Sequence, residues 1–162
     1  VSDLQQVTQW AEALIAQHLD DGWTFAYDHA KRRAGQCDYS RKRISMSRYL
    51  TARYDDETNR QTLLHEVAHA LAGRRAAHGA AWLRTARGLG YTGGRTHDGE
   101  TAVELAPWVG TCPSGHVVYR HRRPSRPSSC VNCSRTFDAR FLFTWQRREI
   151  TPADRAAAMT PR

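Results

Sequence analysis

His65 to Trp82 reads HEVAHALAGRRAAHGAAW, and the reading of this stretch decides the rest of the chain. On an α-helix of about 3.6 residues per turn, positions four apart stand nearly one above the other. His65 and His69 can therefore aim both imidazoles at one ion, and Glu66 projects beside them. A catalytic zinc takes three protein ligands and keeps one position open for water, and an adjacent carboxylate can accept that water's proton as it attacks a carbonyl. His78 is the natural third ligand, Glu66 the natural base, and the chemistry indicated is that of a zinc metalloendopeptidase of the HExxH type. A bare HExxH also arises by chance, as two histidines packed or solvated on one helical face. Against chance, Leu63, Leu64, Val67, Ala68 and Leu71 surround the ligands with the apolar residues a buried helix needs. Gly73 supplies a helix stop, after which the chain can turn and present His78.

Working outward, the zinc helix should run from about Asp56 to Gly73, opening in the acidic DDE segment that suits the positive end of a helix dipole. Upstream, Leu4, Val7, Trp10, Ala11, Leu14 and Ile15 recur at helical spacing and predict a first helix over about Leu4 to Leu19. Trp23, Phe25 and Tyr27 alternate with smaller or polar residues, as do Ile44 and Met46, which predicts two or three short strands. A shorter helix should follow from about Ala80 to Leu89, closed by Gly90. Trp82 has two readings, a catalytic role or packing against the metal helix, and packing is favoured. Cys37, alone in a strand-like segment, reads as a buried small hydrophobe in preference to a reactive thiol.

In the metzincin spacing HExxHxxGxxH the third histidine would fall where this chain has Arg75. The longer gap to His78, followed by Gly79 and Trp82, resembles the SprT family, whose eukaryotic members include the Spartan DNA-protein crosslink proteases. Upstream, WTFAYDHAKRRAGQCDYSRKRISMS resembles that family's entry segment: a strand, a small basic turn with Gly35 and Cys37, and a second strand. HGAAWLRTARGLG resembles its next helix, and GTCPSGHVVYRHRRPSRPSSCVNCSRTF its C-terminal zinc ribbon. The resemblance implies an α+β fold: a small zincin-like metalloprotease domain, helices with a short antiparallel sheet, followed by a zinc-ribbon-like module. The corresponding division is 1–92 for the protease domain, 93–107 for a linker, 108–146 for the ribbon and 147–162 for a basic, Ala-rich tail. It further implies DNA-stimulated cleavage of DNA-associated proteins with little preference for peptide sequence, and single-stranded or structured DNA as partner.

The ribbon is unconventional. Cys130 and Cys133 form one knuckle, but a ribbon of the usual form would have a cysteine at position 115, where this chain has Gly115 between Cys112 and His116. Cys3His sites are common, so His116 can complete a second, structural zinc site with Cys112, Cys130 and Cys133. His121 is the less favoured substitute; a ribbon that packs without metal, or a disulfide, is the alternative.

The 24 Lys and Arg residues against 16 Asp and Glu, net +8, point to a polyanionic partner, with nucleic acid the first candidate. Most of the basic clusters, such as Lys31 to Arg33 and Arg41 to Arg43, read equally well as solvated faces. Arg120, Arg122, Arg123 and Arg126 differ in lying inside the ribbon between Tyr119 and Pro127, where a stiff basic loop can follow phosphates beside an aromatic stacking face. No apolar run approaches the roughly 20 residues of a membrane helix, and the first residues lack a signal-peptide layout, so the expected location is the cytoplasm, with the nucleoid if the host is bacterial. Two other readings remain: a non-enzymatic zinc-containing DNA-binding module, against which the intact Glu66 counts, and a site-specific protease of one regulatory protein.

Overall fold

A computed structural model describes residues 2–94 and 101–160, which divide into two compact units. The first holds the chain up to Thr101 together with the segment from Met159, and the second runs from Ala102 to Ala158. Of the linker expected at 93–107, residues 95–100 lie outside the described residues.

In the first unit α1 spans Leu4–His18, started by the Asp3 carboxylate accepting from the Gln5 N–H and burying Val7, Ala11 and Ile15 on one stripe. Three strands follow, β1 (Thr24–Asp28), β2 (Gly35–Asp38) and β3 (Arg43–Ser47), in the order β1-β3-β2. β1 runs parallel to β3, with Phe25 beside Ile44 and Tyr27 beside Met46, whereas β2 is antiparallel to β3. The sheet is therefore mixed, not the short antiparallel sheet expected. The chain leaves β1, passes to the far edge as β2, and folds back through the turn at 39–42 to place β3 in the gap, in the direction of β1. Gly35 and Cys37 also belong to this edge strand, not to a basic turn.

Ser47 caps a short helix, α2 (Arg48–Arg53), which has no apolar repeat long enough to be read from sequence. The Asp55 carboxylate then starts α3 (Asp56–Ala72) by accepting from the Thr58 N–H, and Asp56 and Glu57 occupy the first turn. Gly73 ends it with φ 82°, its N–H reaching the His69 carbonyl. After a 3₁₀ turn at Arg74–Ala76 comes α4 (Ala80–Gly88). α3 lies at the centre of the unit. Leu63 packs with Val7, Ala11 and Met46, Val67 with Ile15 and Ile44, and Leu64 and Ala68 with Trp82, Ala86 and Tyr91. Each large apolar side chain so buried contributes about 1.5–3 kcal/mol.

The second unit is built on an antiparallel sheet of β4 (Trp108–Thr111), β5 (Val117–Arg120) and β6 (Thr144–Arg147), ordered β5-β4-β6. Gly110 pairs with Trp145, whose ring lies where a Cβ at position 110 would stand, 2.8 Å from the nearest ring carbons. The stretch expected as a tail is ordered into α5 (Pro152–Ala157), started by a reciprocal capping box between Thr151 and Asp154. Arg148 ties this helix back, bonding the Asp154 carboxylate at 2.9 Å and the carbonyls of Ala106 and Glu104. Among the described residues no helix is long and apolar enough to cross a membrane.

Candidate metal centres

α3 carries His65, Glu66 and His69 on successive turns, and the chain brings a third imidazole to them by a sharp reversal. Gly73 takes the backbone out of the helix, and Ala77, at φ 42°, turns it again before His78. The Gly79 N–H closes the reversal on the Ala76 carbonyl at 2.8 Å. The three Nε2 atoms end 3.2 Å (His65–His69), 2.9 Å (His69–His78) and 3.0 Å (His65–His78) apart. Three imidazole nitrogens bound to one tetrahedral zinc at about 2.0–2.1 Å would stand about 3.3 Å from one another, so this donor set fits a zinc-sized ion. Three lone pairs converging without a cation would repel.

Burial holds His69 well below the usual histidine range, at about 4, with the neighbouring His78 adding to the effect, so His69 is neutral at pH 7 as a ligand must be. Glu66 is 8% exposed, and in the absence of a cation burial pushes its carboxyl up to about 8. The charge of Arg33 and a hydrogen bond from the Cys37 N–H oppose that rise. A divalent ion beside the histidines would oppose it further.

The cleft around these groups has a volume of about 460 Å³ and is lined by His65, Glu66, His69 and His78 from the helical side and by Gly35, Gln36, Cys37 and Tyr39 from β2 and its turn. Arg32, Arg33 and Arg74 also line it. A Cβ at Gly35 would lie 2.7 Å from the Glu66 Cγ and Oε1, so the strand approaches the carboxylate as closely as a bare backbone allows. The Tyr39 hydroxyl donates to the His69 carbonyl at 3.0 Å, and Arg74 lies 5.5 Å over the Tyr39 ring. Cys37 faces the cleft with its thiol pushed up to about 12, by burial first and by the Glu66 charge second. Trp82 is fully buried, stacked on His69 at 5.2 Å and set edgewise to His65 and His78, with its indole N–H 3.4 Å from the His65 carbonyl. It packs against all three histidines.

Sequence reading missed Gly35, Tyr39 and Tyr91 as parts of this site. The alternation of Gly35 and Cys37 along β2 was a usable signal for the strand, since every second residue shares a face, whereas Tyr39 lies in the turn that follows. No spacing links Tyr91 to His65, whose Nδ1 lies 3.4 Å from the Tyr91 hydroxyl.

In the second unit Cys112, His116, Cys130 and Cys133 converge. The Cys112 and Cys133 sulfurs are 3.8 Å apart, and the His116 Nδ1 lies 3.5, 3.5 and 3.3 Å from the sulfurs of Cys112, Cys130 and Cys133. Around a tetrahedral zinc two thiolates stand about 3.8 Å apart and a thiolate and an imidazole nitrogen about 3.5 Å, so these donors fit zinc as well. Gly115, at φ 83°, turns the chain so that the Cys112 N–H bonds the His116 carbonyl at 3.0 Å. His121 lies outside this cluster. Burial raises the Cys112 thiol, but hydrogen bonds from His116 and Ser114 outweigh it and bring the thiol down to about 6, favouring the thiolate a metal needs.

Arg120, Arg122, Arg123 and Arg126 are all exposed. Arg123 lies over the Trp108 ring at 5.7 Å, whereas Tyr119 is faced by Arg148 at 5.6 Å.

Comparison with curated proteins and with solved structures returned no match. A family model does match: that of the SprT-like family, over residues 4–103.

Proposed function

The chain belongs to the SprT-like family, a family of metallopeptidase type, and from that premise we propose that it is a zincin-like, zinc-dependent endopeptidase acting on DNA-associated proteins, stimulated by DNA and of low sequence specificity. The observation that carries the reading is the convergence of three imidazole nitrogens within 3.2 Å of one another beside a buried carboxylate in an open cleft. His65, His69 and His78 would hold the ion. Zinc, when bound, supplies Lewis acidity to a peptide carbonyl and to water. Glu66 takes the proton of the attacking water and returns it to the leaving amine, as a general base and then a general acid. Burial and the Arg33 charge pull the proton affinity of this carboxyl in opposite directions, and a divalent ion at the histidines would draw it further toward the charged form that a base needs. Tyr39 fixes the backbone of His69, and β2 closes over Glu66.

The second cluster suits a structural zinc, with its four protein donors filling a tetrahedron and leaving no position for water. The exposed Arg120, Arg122, Arg123 and Arg126 would follow DNA phosphates from this unit, and Arg32, Arg33 and Arg74 would favour a polyanion near the cleft. A cytoplasmic, DNA-associated location goes with this reading.

The test compares wild type with Glu66→Gln, at equal zinc content, for cleavage of a DNA-binding protein with and without single-stranded DNA. Cleavage that needs both DNA and Glu66 supports the proposal. A zinc-loaded, DNA-binding wild type that cuts nothing in a panel of DNA-binding proteins would leave a binding module, and a single cut in one target would leave a site-specific protease.

A further inference from the structure

We propose that Tyr91 is a positioning residue for the metal site, fixing the tautomer and orientation of His65; the inference rests on the histidine triad being a metal site. A neutral imidazole carries one N–H. For Nε2 of His65 to offer its lone pair to an ion, the proton must sit on Nδ1, and a buried Nδ1–H needs an acceptor. The Tyr91 hydroxyl is placed for that role, 3.4 Å from Nδ1. Its own proton is committed elsewhere, because it donates to the Gly94 carbonyl at 2.8 Å. A hydroxyl has one hydrogen and two lone pairs, so the side turned to His65 can only accept. The polarity of the chain Nδ1–H to Tyr91 to Gly94 is thereby set from the carbonyl end.

The segment is built to hold that hydroxyl still. Tyr91 is 3% exposed, and its ring stands edgewise to His65 at 5.4 Å and to Trp82 at 5.8 Å. Arg87, in the last turn of α4, lies 5.8 Å over the same ring and donates to the carbonyls of Tyr91 and Gly93. At Gly93 a side chain is excluded, since its Cβ would run into the Tyr91 hydroxyl. The loop is thus folded around the tyrosine oxygen from both sides.

Loss of a hydrogen-bond partner behind a ligating histidine weakens metal binding by about 10–100-fold. Tyr91→Phe keeps the ring and its packing and removes only the oxygen. The experiment uses the full chain with zinc alone as the probe, in competition with a chelator, taking His69→Ala to identify the histidine site against the cysteine cluster. Tyr91→Phe should weaken that site tenfold or more. Gly93→Ala, which displaces the hydroxyl and leaves residue 91 intact, should weaken it in the same direction. In parallel, 15N imidazole spectra of the metal-free wild type should show His65 protonated on Nδ1, a property that a merely space-filling tyrosine would not govern. Zinc affinity of Tyr91→Phe within twofold of a wild type that binds at the histidines would overturn the role of Tyr91 and leave the metal site standing. An Nε2-protonated His65 in the wild type would overturn it too, with no variant needed. A wild type that takes no zinc at the histidines would overturn both readings.

Discussion

A single methyl group at position 35 tests how far the site depends on β2. Gly35 has no positive φ, so alanine fits its backbone; the difficulty is the space its Cβ would take. That carbon would stand 2.7 Å from the Glu66 Cγ and Oε1 and 3.0 Å from Cδ. Ordinary contacts between such atoms are about 3.5–4.0 Å, so the carboxylate or the strand must yield by about 1 Å. The carboxylate is buried and bonded by the Cys37 N–H of the same strand, so either movement changes where Glu66 points. Displacement of a reacting group by about 1 Å costs about 100-fold in rate, and overpacking of this kind costs about 1–3 kcal/mol of stability. Gly35→Ala should therefore lose about two orders of magnitude in kcat/KM for a DNA-bound protein substrate while keeping its zinc, because the clash falls on Glu66 and on none of the three imidazoles. Shortening the acid by one methylene relieves the clash, so the stability losses of Gly35→Ala and Glu66→Asp should be less than additive in the double variant. Gly35→Ala activity within threefold of wild type, in an assay where Glu66→Gln is inactive, would refute the reasoning.

Other positions give independent checks. Both His65 and His78 touch Trp82, but His65 is buried within α3 and also meets Tyr91 whereas His78 is part-exposed on the turn. Both alanine variants should therefore lose zinc, but melting in the presence of chelator should show His65→Ala the more destabilised, by about 1–3 kcal/mol. Gly110→Ala should weaken the second unit by a similar amount, about 1–3 kcal/mol, because its methyl would enter the Trp145 ring; unchanged hydrogen exchange across residues 102–158 would contradict the placement of that ring. Asp154 is held at about 2, below its usual 3.8, by the Thr151 N–H, Arg148 and the Thr151 hydroxyl. A depressed carboxyl contributes stability that is complete above its unfolded value and lost as pH falls through the folded one, so the stability difference between wild type and Asp154→Asn should be constant from pH 7 to about 5 and vanish between about 4 and 2 in chemical denaturation.

What was legible in the sequence was whatever is local. α1 follows from its apolar spacing, α3 from the ligand motif set between an acidic start at Asp56 and the stop at Gly73, and α4 from the stop at Gly90. The two His and Cys clusters follow from ligand spacing on a helix and in a knuckle. α2 and α5, six residues each, are too short to show a period and are held by caps on Ser47 and Thr151. The direction of β3 was not legible, because Phe25, Tyr27, Ile44 and Met46 alternate identically whether their strands run together or opposed. Nor were the partners of the site, since Gly35 and Tyr91 meet Glu66 and His65 only once the sheet edge and the loop after α4 have closed on α3.

The burial pattern of α3 explains why those partners are needed. Thr62 through Ala68 are buried without a break, so this part of the helix has no solvent face and no clean amphipathic stripe. Leu63, Leu64, Val67 and Ala68 satisfy that environment by packing, but the polar members of the run must each find a bond. Thr62 finds one within the helix, at the Thr58 carbonyl. Glu66 and His65 cannot spend theirs locally without turning away from the cleft, and their bonds come from the Cys37 N–H and the Tyr91 hydroxyl, supplied by two different elements. The candidate base and the candidate ligand, adjacent in sequence, are thus held by contacts remote in sequence, so the arrangement of the helix motif exists only in the folded unit. An ion at the three histidines would bind only where α3, the turn before His78 and the Tyr91 segment are assembled, so its binding free energy would also be a free energy of holding that turn and the Tyr91 segment in place.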